Sequence, residues 1–386
     1  ISWQVVTSNS RSTRCSMRCQ DKSGSPRNGG SVGMPQPSSA LRYSGAAPTA
    51  EPAFNLVDLA TLAQGTSAVV RGPNAAGHAV GGGRLQQGAS PAVTRQGLLF
   101  QASGVVPVQG PDNSDFATVF GINDLGALVG GANAAAGVQA FLQAPGQAAR
   151  RLAPLPGDDA SMAFAINNHQ QVVGFSSGPL GQRAVTWSAT GTPSALPSAG
   201  ATSSRASGIN DRGEVVGTVV TGGSRQPALW TASAAAQLLM LLPGHAMGEA
   251  AAVNVRGEVV GYSATADEVR RATLWGAAGV AVDLGTLAGG TASHATGINR
   301  AGDVVGTSDS TRGSRAFVWT RRDGMQDLNA LLVSPPAGLV LTVAVGISDT
   351  GSIIAVGHQQ DPDERDDHGH DHEQPIRVFL LTRTGS

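Results

Sequence analysis

From about residue 54 onward, apolar residues come in short runs, each closed by Gly, Ser, Asn or Asp. The unit from Ser293 to Leu328 shows the pattern most cleanly. His294-Ala295-Thr296-Gly297-Ile298 leads into Asn299-Arg300-Ala301-Gly302, whose first and last residues suit a four-residue turn. Asp303-Val304-Val305-Gly306 follows with the β-branched pair expected of a strand. Arg315 to Trp319 and Met325 to Leu328 are the third and fourth runs. None is long enough for an ordinary helix, so the unit predicts four strands joined by hairpins.

The phrase Asn-x-x-Gly-x-Val-Val-Gly then returns along the chain. It starts at Asn74, Asn123, Asn167, Asn210, Asn254 and Asn299, with a seventh, degenerate copy at Ser348. Subtracting successive positions gives intervals of 49, 44, 43, 44, 45 and 49 residues. Self-similarity at this period marks an array of supersecondary units that bury their apolar faces against their neighbours. Seven four-stranded units imply an all-β fold, a seven-bladed β-propeller, with six blades or an open β-solenoid as the alternatives.

The ends of the array bear on closure. The last unit carries three strand-like runs, ending at Arg377 to Leu381, and lacks a fourth. Before the first turn, Phe54 to Leu62 resembles the fourth run Val280 to Leu287 of another unit. Leu56 to Leu59 is therefore expected to complete the last blade, leaving only short, protected sheet edges.

Other positions recur with the turn. Trp187, Trp230, Trp275 and Trp319 follow their own asparagines by 20, 20, 21 and 20 residues, and Gln143 and Leu381 stand near that place in weaker units. Packing between sheets is the preferred reading, and a ring of ligand-stacking aromatics is the alternative. Gly81, Gly130, Gly174, Gly217, Gly261 and Gly306 each lie seven residues past the asparagine, where a strand glycine marks a bulge or close backbone approach. The asparagines themselves are read as turn formers rather than as a polar ring lining a channel.

These repeats make residues 51–384 one long domain. Residues 1–50 are rich in Ser, Gly, Pro, Arg and Asn without periodic apolar runs, and are expected to be disordered. They contain no apolar core of a signal peptide, and no stretch of the chain is long and apolar enough to span a membrane. The chain opens on Ile1, which makes Met34 a candidate start. A formal net charge of −1 gives no global field for nucleic acid, and the excess of arginine over the single lysine, Lys22, reads as genome composition. Cys15 and Cys19 lie in the head, so the repeat array is cysteine-free.

Chemistry has few places to reside. No nucleophile elbow, phosphate loop, zinc-protease helix or dinucleotide fingerprint occurs. One insertion breaks the repeat: within an expected disordered loop at 359–375, His368, His370 and His372 alternate with Asp367, Asp371 and Glu373. Imidazole and carboxylate together suit Zn²⁺, Cu²⁺ or Ni²⁺, here held weakly and adaptably. No other cofactor is expected. Asp158, Asp159, His169, His245, Glu249 and His294 could converge at a channel mouth.

The motif Ala-x-Gly-Ile-Asn-x-x-Gly-x-Val-Val-Gly, an Ala-Phe-x-Trp strand and an Asp-Leu-Gly-Thr-Leu segment together resemble the bacterial HAF-repeat family over roughly residues 54–382. The family's His-Ala-Phe tripeptide is replaced here by Arg315-Ala316-Phe317, Gln139-Ala140-Phe141, Arg183-Ala184-Val185 and Arg271-Ala272-Thr273. The resemblance implies a propeller-like repeat protein of extracellular, periplasmic or envelope-associated location. The expectation is a monomeric, non-catalytic binding scaffold for a glycan, a peptide or an envelope protein. Recognition would lie on loops 175–182, 218–225, 262–270, 307–314 and 358–375, which share one face. The alternative is a propeller hydrolase or lyase with a channel-mouth carboxylate and histidine site.

Overall fold

The computed structural model describes residues 53–62, 69–83, 96–114, 116–198, 200–231, 235–276, 278–359 and 375–385. The chain is a seven-bladed β-propeller of four-stranded antiparallel sheets. Each blade runs outward from an inner strand. In the fourth these are Ser203–Ile209, Val215–Thr221, Ser224–Trp230 and Gln237–Leu238. The seventh has the order Leu339–Ile347, Ile353–Gln359, Ile376–Arg383 and, outermost, Phe54–Leu62. The head of the chain thus supplies the strand that its tail omits. Leu56 faces Leu381 and Val57 faces Leu380 in this antiparallel pair, and an ion pair joins Asp58 to Arg377.

Closure buries apolar area as well as pairing backbone. Phe54 and Leu62 are almost fully enclosed. Phe54 joins the cluster of Val318, Leu328 and Phe379, which links the sixth and seventh blades. The Ala53 N–H donates to Leu331 O at 2.8 Å and the Val333 N–H donates to Phe54 O at 2.9 Å, so the same segment also binds the exit of the sixth blade.

The repeated tryptophans are packing elements, which overturns the ligand-stacking alternative. All four are at most 1% exposed, each at the end of a third strand. Trp187 Nε1 donates to Ala153 O at 2.7 Å, Trp230 Nε1 to Pro197 O at 2.8 Å and Trp275 Nε1 to Met240 O at 2.6 Å. Each acceptor lies in the segment arriving from the preceding blade. Register places Gln143 and Leu381 at the equivalent position, opposite Leu128 and Ile353, as expected. In the first blade Phe100 fills it opposite Ala79, displaced in sequence by the longer hairpin.

The strand glycines answer to close approach. A Cβ on Gly130, Gly217, Gly261 or Gly306 would lie 2.0 Å from an inner-strand carbonyl oxygen, and one on Gly174 would lie 1.9 Å away. In blades two to six each faces the inner strand at a register shift, as Gly217 faces Ala206 before the break at Ala206/Gly208.

Each of the first five turn asparagines does two things, only one of which was expected. Its Oδ1 caps its own turn: Asn210 accepts from the N–H groups of Arg212 and Glu214, both at 3.0 Å. Its Nδ2 crosses to the next blade. Asn74 donates to Asn123 O, Asn123 to Asn167 O, Asn167 to Asn210 O, Asn210 to Asn254 O and Asn254 to Asn299 O, over 2.8–3.1 Å. Five such bonds lace six blades together. Aspartate could cap the turn but could not donate, so the double role selects the amide.

Two expectations of detail need correction. The second and third strands reach further into the hairpins than predicted, so 175–182 and 218–225 reduce to the tight turns Gly178–Gly181 and Thr221–Ser224. In the sixth blade the fourth strand ends at Asp327, and Leu328–Leu331 forms a 3₁₀ turn capped by the Asp327 side chain. Among the described residues no helix is long and apolar enough to cross a membrane.

Candidate functional site

The inner strands line the axial bore, and aligning them on their turns separates two kinds of position. Four residues before the turn stand Val70, Val119, Ala163, Ala206, Ala250, Ala295 and Ala344, all buried. Two before it stand Gly72, Gly121, Ala165, Gly208, Ala252, Gly297 and Gly346. A Cβ on Gly346 would lie 1.9 Å from Gly72 O, and one on Gly121 would lie 2.8 Å from Phe164 O. These columns stay small because adjacent inner strands nearly touch.

The positions between them vary in size and charge. Five before the turn come Val69, Thr118, Met162, Arg205, Glu249, His294 and Val343. Three before it come Arg71, Phe120, Phe164, Ser207, Ala251, Thr296 and Val345. Contacts between their side chains show that they meet around the bore. Phe120 and Phe164 pack edge to face at 5.4 Å, and the Arg205 guanidinium lies 5.9 Å from the Phe164 centroid. Arg205 Nη2 donates to Glu249 Oε2 at 3.0 Å, joining the fourth blade to the fifth. One arc of the wall is therefore aromatic and the other charged.

The charged arc extends to second and third strands. Arg225 Nε lies 3.6 Å from Glu249 Oε1, and its Nη2 pairs with Glu268 at 3.0 Å. The Tyr262 ring stands edge-on to His294 at 5.0 Å, and Arg270 lies over that ring at 4.7 Å. Tyr262 Oη is buried against the Glu249 carboxylate without a hydrogen bond of ordinary geometry. Burial first, then Glu249, pushes its phenol above the usual range.

His294 is held neutral. Burial foremost, then the charges of Arg270 and Arg71, push its imidazole down to about 4. Arg71 and His294 belong to different blades and meet electrostatically across the bore, as Arg71 and Arg205 do. Burial, with the charge of Arg205, lowers the Arg71 guanidinium below its ordinary value. The walls enclose Arg71, yet it reaches solvent within the bore.

Of the six residues expected to converge, only Glu249 and His294 come together. Asp158 instead binds Ser176 at 2.6 Å and Arg183 at 2.7 Å, fixing the hairpin of its own blade. Asp159 is exposed beside it. His169 lines a shallow groove of about 860 Å³ on the turn face, with Asp211 and Trp230. His245 lies in the segment entering the fifth blade, its N–H bonded to Leu242 O at 3.0 Å. Among the described residues no group of three His, Cys, Asp or Glu is placed to hold a metal. His368, His370, His372, Asp367 and Asp371 lie outside the described residues.

Arg71, Arg205, Tyr262 and Arg270 are not among the acids and histidines expected from the sequence. The inner-strand columns carry a signal for Arg71 and Arg205. Tyr262 and Arg270 enter only through the pairing of Tyr262 with Glu249 and with Ala272.

These features define a β-propeller with a polar, partly aromatic bore. No family model matches the chain, and no curated protein matches it. Among solved structures, TolB from Acinetobacter baumannii is similar at 11% identity and a TM-score of 0.45, over 64% of this chain and 62% of that one. YCF48 bound to a D1 peptide is similar at 10% identity and 0.42, over 89% and 98%. BP39L lectin from Burkholderia pseudomallei is similar at 8% and 0.39, over 86% and 97%. At such values none of them carries a ligand or an activity over to this chain.

Proposed function

We propose that the protein is a non-catalytic binding propeller that recognises a glycan, a peptide or an envelope protein at the face formed by its second-to-third-strand hairpins. One observation carries this reading. Residues that hold the ring together repeat from blade to blade, whereas those facing the bore and the hairpin tips vary in size and charge among the blades. Repeat scaffolds place recognition where their units diverge. The bore column five residues before each turn lies toward the hairpin face, because inner strands run from that face to the turns.

Binding fits the charged arc better than hydrolysis does. Both Glu249 oxygens lie beside guanidinium groups, at 3.0 and 3.6 Å, so this carboxylate is engaged in ion pairs between blades. The resemblance to HAF repeats supports an extracellular, periplasmic or envelope-associated location.

The test is a glycan and peptide array probed with the purified protein, alongside Leu180→Asp and Val269→Asp at exposed positions on this face. A hit weakened by either substitution supports the reading. Hits indifferent to both, or turnover of the bound glycan or peptide, overturn it.

A further inference from the structure

Among the described residues, the bore holds more positive charge than it neutralises. Arg71, Arg205, Arg225 and Arg270 bear on one cluster, while two carboxylates, Glu249 and Glu268, form ion pairs with it. Both acids are used by Arg205 and Arg225. Among the described residues, Arg270 has the Tyr262 ring as its partner and no carboxylate. Among the described residues Arg71 bonds only the carbonyl of its neighbour Val70, at 2.9 Å. Arg71 and Arg270 both bear on His294, and among the described residues each keeps guanidinium donors that no protein group accepts from.

The aromatic arc adjoins this charge. Arg71, Phe120 and Phe164 hold the same column in the first three blades. A ring lying against Phe120 and Phe164 would thus present a substituent to Arg71.

We infer that the bore is a binding site for a small carboxylate borne on a ring, its carboxylate held by Arg71 and Arg270 and its ring face held by Phe120 and Phe164. Guanidinium groups match a carboxylate in geometry and in charge, and an enclosed site strengthens that match. Neutral His294 supplies a donor that leaves the site's charge unchanged. The inference rests on the binding reading above and specifies its ligand. The ring is a pyranose uronate or an aromatic acid, and the probes below distinguish the two.

The experiment is calorimetric titration of the full chain with D-glucuronate, benzoate, D-glucose and acetate. The variants are Arg71→Gln, Arg270→Gln and, as a control, Arg271→Gln, whose side chain pairs with Asp283 on the outer strand. Among the described residues neither Arg71 nor Arg270 has a carboxylate partner to orphan, so both variants are expected to melt close to wild type. At least one ring carboxylate is expected to bind roughly tenfold tighter than both glucose and acetate. Arg71→Gln and Arg270→Gln are each expected to weaken it roughly tenfold or more, the value of one charge-assisted bond, while Arg271→Gln does not. Glucuronate as the tighter ligand indicates a sugar acid, and benzoate indicates an aromatic acid.

No binding of either ring carboxylate at millimolar concentration would overturn the inference. So would binding that survives both substitutions. Array hits that depend on Leu180 or Val269 but not on Arg71 would leave the scaffold reading standing and remove this one. Carboxylate binding without any array hit would do the reverse.

Discussion

Asn210→Asp isolates the lacing of one blade to the next. The substitution keeps the size and the turn-capping oxygen but removes the donor. Two bonds are lost: Nδ2 to Asn254 O at 2.8 Å and Nδ2 to Glu214 Oε2 at 2.6 Å. Asn254 O still accepts from the Gly257 N–H at 3.0 Å, so the first loss lies at the low end of the range, about 1 kcal/mol. The second is a bond to a charged acceptor, about 1.5–3 kcal/mol, and it is replaced by two facing carboxylates. The expected destabilisation is about 3 kcal/mol at pH 7, measured by urea denaturation with tryptophan fluorescence. Adding Glu214→Gln removes the like charge and lets an amide donate to the new carboxylate. It should recover all but about 1 kcal/mol, the blade-to-blade bond itself. A loss under about 0.5 kcal/mol for Asn210→Asp, or no recovery with Glu214→Gln, would refute the reasoning.

Three further outcomes are expected. Gly217→Ala puts a Cβ 2.0 Å from Arg205 O and should cost about 3 kcal/mol or more, whereas Gly223→Ala, with open space but φ of +82°, should cost about 1 kcal/mol. His294 titrates at about 4 when folded against 6.5 when free, so below pH 6.5 the unfolded chain binds a proton that the native chain refuses. Its contribution is lost as pH falls from 6.5 to 4, roughly 3 kcal/mol in all, and wild type minus His294→Gln in denaturation midpoints at pH 7 and 4.5 should show it; Arg71, Arg270 and Tyr262 face the imidazole in both measurements, with Glu249 beyond the Tyr262 ring. Zn²⁺ or Cu²⁺ titrated calorimetrically should give heat with the wild type and none with His368→Ala/His370→Ala/His372→Ala; identical flat traces would end the metal proposal.

Much of this fold was legible because its demands are local and recur. A turn asparagine, a strand glycine and a third-strand tryptophan each solve one steric problem, and the problem returns in every blade. The closure by Phe54–Leu62 was legible for the same reason, as a fourth strand displaced to the other end of the chain. The asparagine lacing was not, because Nδ2 of Asn210 meets a carbonyl 44 residues away, and a turn motif shows only its own four residues. The bore escaped for the opposite reason. Arg71, Arg205 and Glu249 matter because they do not recur, so the repeat pattern does not mark them. Arginine abundance was silent as well: Arg271 is neutralised by Asp283 while its neighbour Arg270 faces the Tyr262 ring.

Ring closure is tested most directly by amide hydrogen exchange of residues 54–62. Their backbone pairs with Ile376–Arg383 along its length, from Phe54 opposite Arg383 to Leu62 opposite Ile376. The segment should therefore be protected as strongly as 376–383, its partner. Exchange of 54–62 at the rate of an unpaired chain, with 376–383 still protected, would contradict a ring closed by its own first strand.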